Sequence, residues 1–139
     1  MPGASNTNPT RGQETILLVE DSEMVRALVC EVLEQHGHRV LEARDAREAI
    51  GIAEEHQGVI ELLLTDLVMP RMGGHELAKR LRRGRKGLKV IYMSGYAGAG
   101  IEAVEKGSGF VEKPFKPDAL VACVRRVLDE SRPAGEDES

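Results

Sequence analysis

Glu20, Asp21, Asp66, Ser94 and Lys113 are the residues whose types and placement could do chemistry together. Each stands at the end of a short apolar run or just beyond it: LLVED (17–21), LLLTD (62–66), VIYMS (90–94) and GFVEK (109–113). An ionised carboxylate at the end of a buried segment is costly unless water or a cation compensates it. Two carboxylates about 4 Å apart repel by about 4 kcal/mol at an effective dielectric near 20. Three acids gathered around one lysine therefore call for a further cation. Oxygen donors with open water positions suit Mg2+, and nothing in the set is soft enough to prefer zinc. A carboxylate beside Mg2+, with a hydroxyl and an ammonium to meet charge on phosphoryl oxygens, has the parts of a phosphoryl-transfer site. Asp66 has no acidic neighbour in sequence and sits on the central run, so it is the candidate nucleophile.

The elements around these residues must bring them together. TILLV (15–19) reads as a buried strand. Ser22 then offers an N-cap to a helix with Val25, Leu28, Val29, Val32 and Leu33 inward, ending near Gly37. HRVLEA (38–43) is a second strand, and Asp45 caps a helix whose apolar face is Ala46, Ala49, Ile50 and Ala53. IELLLTD (60–66) is the third strand, followed by a helix over 74–83 with Leu77, Ala78 and Leu81 inward. LKVIYMS (88–94) is the fourth. The glycine-rich stretch 95–109 permits only a short or irregular helix, because interior glycine is unfavourable there. GFVE (109–112) is the fifth strand, and Asp118 caps a last helix with Leu120, Val121, Val124, Val127 and Leu128 inward. Alternating strands and helices, with several strands apolar throughout, predict an α/β fold: a doubly wound parallel sheet covered on both faces. Ligands bind such sheets beyond the carboxyl ends of the strands. That rule gathers the five candidate residues on one rim and leaves the end of the second strand, Glu42 and Ala43, aside.

Composition sets the outer bounds. The 139 residues suffice for one ordinary domain, with 41% hydrophobic and 30% charged residues. We assign 14–129 to that domain. Residues 1–13 and the acidic 130–139 are expected to be disordered tails, since neither can bury enough apolar surface to offset ordering entropy. The net charge of −4 gives no general reason to expect nucleic acid. No apolar run approaches the roughly 20 residues needed to span a bilayer, and the opening MPGASNTNPTRGQ has no secretory core. A cytoplasmic location with Cys30 and Cys123 reduced follows as the expectation. His36, His38, His56 and His75 show no metal spacing and read as surface residues. KRLRRGRKGLK (79–89) reads as a solvated, cationic helix end.

The motifs LLVED (17–21), TDLVMPRMGG (65–74), MSGYA (93–97) and FVEKPF (110–115), in this order and each at a strand end, resemble the receiver domain of bacterial two-component response regulators. The resemblance covers roughly residues 14 to 129. It implies the flavodoxin-like strand order 2-1-3-4-5, for which a member of this family is the standard example. It also implies that Asp66 accepts a phosphoryl group from a phosphohistidine of a kinase or phosphotransfer protein. Glu20, Asp21, Asp66 and the main-chain carbonyl of Val68 would hold Mg2+, while Lys113 and Ser94 would contact the phosphoryl oxygens. Phe110 stands at the family's switch aromatic, and Lys113–Pro114 at its cis peptide. Such a protein modifies itself and is no turnover enzyme; its output partner is unnamed, and a phosphorylation-dependent dimer is left open.

Two departures from the family pattern carry expectations. Glu20 replaces a frequent aspartate, and bridging water absorbs the extra methylene. The stretch between Ser94 and Lys113 is about one turn short, which predicts a mobile fourth helix that orders on phosphorylation or partner binding. Val68 cannot orient a hydrolytic water and Tyr96 would shield the site, so the acyl phosphate should be long-lived. Two alternatives stay open. The domain could be the receiver module of a hybrid sensor kinase, since only ten residues follow Asp129 and no DNA-binding output domain fits there. Or it could be a small phosphatase using Asp66, which would need a general acid and a substrate cap that the sequence does not display.

Overall fold

The computed structural model describes residues 13–95 and 108–130. Five strands, β1 (Thr15–Val19), β2 (Arg39–Ala43), β3 (Leu62–Asp66), β4 (Lys89–Ser94) and β5 (Gly109–Glu112), form one parallel sheet in the order β2-β1-β3-β4-β5. This is the expected 2-1-3-4-5 arrangement. Helices α1 (Glu23–Gln35), α2 (Ala46–Glu55), α3 (Gly74–Arg82) and α4 (Pro117–Asp129) complete the described elements. The expected irregular helix between β4 and β5 falls on 96–107, outside the described residues, as do 1–12 and 131–139 of the expected tails.

Side chains alternate across a strand, so a strand buried on both faces must be apolar at every position. Ile16 and Leu18 of β1, Leu62 and Leu64 of β3, and Ile91 and Met93 of β4 join Val29, Leu33, Leu120 and Val124 in a core under α1 and α4. Their neighbours Leu17, Val19, Leu63, Val90 and Tyr92 point the other way, into a core with Ala46, Ala49, Leu77 and Leu81 under α2 and α3. Each fully buried leucine contributes about 1.5–3 kcal/mol relative to exposure.

Local signals place the helix starts. Ser22 Oγ accepts the Val25 amide at 3.2 Å, and Asp45 Oδ1 accepts the Glu48 amide at 2.9 Å. Glu48 Oε1 in turn accepts the Arg44 amide at 2.6 Å, a near relative of the capping box.

Five expectations need correction. Asp118 is not a cap: α4 opens two residues earlier than expected, at Pro117, with Lys116 as N-cap. Proline at the first helical position has φ preset and no amide to satisfy, which leaves Asp118 in the first turn facing the dipole. Leu28 is 47% exposed. The sheet-facing stripe of α1 centres on Val29 and Leu33 and takes in Cys30, so Leu28 falls roughly a third of a turn away. His38 is buried, its Nδ1 3.1 Å from Glu14 Oε1. Three strands start one or two residues late: the amide of His38 still bonds Leu33 at the end of α1, and β3 and β4 begin at Leu62 and Lys89. The cationic run is only partly solvated. Arg85 donates to the carbonyls of Ala53, His56 and Gly58 (3.0, 2.8 and 2.9 Å), closing the end of α2, and Lys89 Nζ donates to Leu128 and Glu130 carbonyls across to α4.

Candidate functional site

Parallel strands all end on the same rim, and Asp66, the last residue of β3, lies at its centre. β1 delivers Glu20 and Asp21 from one side; β4 and β5 deliver Ser94 and Lys113 from the other. Asp66 is 7% exposed, Glu20 1% and Ser94 5%, whereas Asp21 is open to solvent. Carboxylate oxygens of Glu20, Asp21 and Asp66 lie within 4.8 Å of one another. Lys113 Nζ donates to Asp66 Oδ1 at 2.8 Å and to Glu20 Oε1. Glu20, Asp21, Asp66 and Lys113 converge, and Ser94 ends the neighbouring strand.

Main-chain bonds fix the frame. The Lys113 amide donates to the Ser94 carbonyl at 2.7 Å, joining the ends of β4 and β5, and the Leu67 amide donates to Met93 at 2.8 Å. The Lys113–Pro114 peptide is cis, as the resemblance implies. Beyond Asp66 the chain turns through Arg71, whose φ of 72° is left-handed, and enters α3 at Gly74. A Cβ there would sit 2.2 Å from the Asp66 carbonyl oxygen, so the helix can approach the strand end only without a side chain. Val68 is 69% exposed at the rim. Phe110 is half-buried against the α2–α3 core; it pairs with Tyr92, which pairs with Thr65, in one row across the sheet just below the acids. Tyr96 lies outside the described residues.

Burial pushes the Asp66 carboxyl up to about 6; the Lys113 hydrogen bond opposes the rise and the Glu20 charge adds to it. Burial works against the Lys113 ammonium too, but its hydrogen bonds to Asp66 and Glu20 outweigh this and raise its pKa. The pocket thus carries more acid than its lysine neutralises. The surplus sits on oxygen donors only, the donor chemistry of a hard divalent cation.

One pair of site residues was not visible in the sequence. Arg26, in the first turn of α1, donates from Nη1 to the Glu20 carbonyl at 2.8 Å, and its Nε lies 3.4 Å from Glu42 Oε1. Glu42 stays outside the acid cluster, as expected, and meets the site only through Arg26. The available signal was position: Arg26 follows the cap Ser22 by one helical turn, on the side of the strand ends.

The family described as response regulator receiver domain matches residues 16–125. The chain is 36% identical over 121 residues to the sensor kinase CckA of Brucella abortus (strain 2308), covering 85% of this chain and 13% of that protein. It is 30% identical over 125 residues to the phosphate regulon transcriptional regulatory protein PhoB of Pseudomonas aeruginosa, covering 86% and 54%. The chain thus spans about half or less of the length of these relatives. Among solved structures it is similar to the chemotaxis protein CheY4 of Vibrio cholerae, with a TM-score of 0.73 and 29% identity over 83% of this chain and 98% of that one. It is also similar to the receiver domain of the hybrid histidine kinase CckA, with a TM-score of 0.66 and 35% identity over 83% and 99%. With fold, acid cluster and family match in agreement, the chain belongs to the response regulator receiver domain family.

Proposed function

We propose that Asp66 is the phosphoacceptor. A carboxylate oxygen of Asp66 attacks the phosphorus of a phosphohistidine on a kinase or phosphotransfer protein. The P–O bond forms as the P–N bond breaks, and the freed imidazole takes up a proton. The observation that carries this reading is Lys113 Nζ placed 2.8 Å from Asp66 Oδ1, with the Glu20 and Asp21 carboxylates within 4.8 Å. In that position the ammonium meets charge on the transferred group. Glu20, Asp21, Asp66 and the Val68 carbonyl would hold Mg2+, which would supply charge neutralisation of the phosphoryl oxygens. Ser94 donates to the phosphoryl group, and Phe110 follows it inward as the switch. The protein changes only itself, so its product is a modified surface.

Met24 (81%) and Leu28 (47%) on α1 and Val68 (69%) beyond β3 are exposed apolar side chains. Exposed apolar side chains of this kind suit contact with a partner helix presenting its histidine. Residues 14–129 are the receiver unit. Among the described residues no helix is long and apolar enough to cross a membrane, and we place the protein in the cytoplasm, where ATP charges the donor histidine. Intact mass after acetyl phosphate or beryllofluoride with Mg2+ tests the reading. The native chain should gain one adduct and Asp66→Asn none; equal labelling of the two would defeat the assignment.

A second reading has its own support. The match to CckA covers 13% of that sensor kinase, so the chain fits the receiver module of a hybrid kinase. The reading frame around residue 1 decides between a free-standing regulator and such a module.

A further inference from the structure

Glu20 is held at four points. Its amide donates to the Ala43 carbonyl at 3.1 Å, and its Oε2 accepts the Ser22 amide at 3.0 Å. Its Oε1 accepts from Lys113 and its carbonyl accepts Arg26 Nη1 at 2.8 Å. The last of these bonds is conspicuous. Arg26 spends a guanidinium on a neutral carbonyl, next to a cluster of acids it could have neutralised. Its side chain is 14% exposed and is turned toward β2, where its Nε lies 3.4 Å from Glu42 Oε1. The other Glu42 oxygen accepts the Cys30 thiol at 3.4 Å. Both backbone groups of Glu20 are thus tied to the end of β2: the amide directly to Ala43, the carbonyl through Arg26 to Glu42.

We propose that Arg26 is a positioning residue for the acid cluster: it holds the Glu20–Asp21 turn in its cation-binding shape, while Glu42 cancels the charge Arg26 would otherwise set against a cation. This rests on the reading of Glu20, Asp21 and Asp66 as the Mg2+ ligands. The reasoning is electrostatic. Carboxylates crowded within 4.8 Å repel, and a free turn would relax by moving Asp21, the exposed member, away. A tether on the adjoining carbonyl holds the turn closed before the cation arrives, which reduces the ordering left to do on binding. Arginine suits this because its planar fork donates in two fixed directions, to a carbonyl and a carboxylate, where a lysine offers a single point charge.

The test is Mg2+ affinity by titration calorimetry, with circular dichroism to confirm folding. The double variant Arg26→Gln/Glu42→Gln keeps the local net charge and removes the tether. Its Kd for Mg2+ should rise roughly threefold to tenfold, the scale of one hydrogen bond to a charged group partly expressed in binding. Glu42→Gln alone, which leaves an uncancelled cation, should raise Kd about twofold. Native Mg2+ affinity in a folded double variant, even with a lower Tm, would overturn the proposal, since a merely structural arginine predicts that pattern. Should the double variant not fold, Arg26→Lys serves: it must bind Mg2+ more weakly than the native chain, and native affinity overturns the idea. Absence of saturable Mg2+ binding in the native chain would instead defeat the underlying site assignment.

Discussion

The Lys113 ammonium lies 2.8 Å from Asp66 Oδ1 and bonds Glu20 Oε1 at the same time, so one cation from β5 ties together the ends of β3 and β1. Removing it leaves two buried acids facing each other. Breaking a buried pair by deleting one partner is strongly destabilising. Lys113→Met should therefore lose roughly 2–4 kcal/mol of stability at neutral pH without divalent cations. Saturating Mg2+ should recover part of the loss. Urea unfolding with and without Mg2+ checks both; an unchanged midpoint in metal-free buffer would mean the ammonium carries no structural charge balance.

Two glycines should respond in opposite directions to alanine. At Gly74 a Cβ meets the Asp66 carbonyl oxygen at 2.2 Å, and backbone cannot yield as a side chain can. Gly74→Ala should cost about 3 kcal/mol or more and slow phosphorylation by displacing the strand end. At Gly51, inside α2, nothing lies within 4 Å of the added carbon. Gly51→Ala should stabilise by about 0.5–1 kcal/mol through helix propensity. Thermal melts of the two variants decide the matter.

Acid should weaken the fold through His38. Burial lowers its pKa, against the raising effect of the Glu14 carboxylate, with Arg125 and His36 also lowering it. The unfolded chain thus binds a proton more readily than the folded one across a window reaching down from the ordinary histidine value of about 6.5. Stability is unaffected above that window and falls as pH drops through it, by at most about 1.4 kcal/mol per pH unit. The difference in unfolding free energy between native and His38→Gln should narrow or reverse between neutral pH and about pH 5. A pH-independent difference would show that His38 does not titrate in this way.

Val68 is 69% exposed at the rim and has no hydrogen-bonding side chain with which to orient water. Val68→Asn should shorten the lifetime of the phosphorylated protein several-fold in the presence of Mg2+. Phosphate release from the isolated domain measures it, and an equal lifetime would remove this residue from the hydrolytic path.

The sheet and the acid cluster were legible because both rest on one-dimensional signals. Apolar runs without alternation mark strands covered on both faces, and a parallel sheet must put their final residues on one rim. Asp66, Glu20, Asp21, Ser94 and Lys113 follow from that alone. What stayed hidden depends on how charged side chains fold back in three dimensions. Nothing in the spacing of Arg26 says that it will seek a carbonyl, or that Glu42 will turn to meet it. His38 looked like a surface residue because burial of an imidazole depends on Glu14 and Arg125, more than twenty and eighty positions away. Leu28 fits the helical period and still misses the sheet, since period fixes a stripe's width less sharply than packing does.

With β3 third among five strands, the rim has two unlike flanks. The other acids of the cluster, Glu20 and Asp21, arrive from the β1 flank; Ser94, the Lys113 ammonium and the half-buried Phe110 arrive from the β4–β5 flank. The two flanks meet at Asp66 and again at Lys113, whose ammonium crosses to Glu20 on the β1 flank. A change of acid on one flank is therefore felt on the other through that single ammonium.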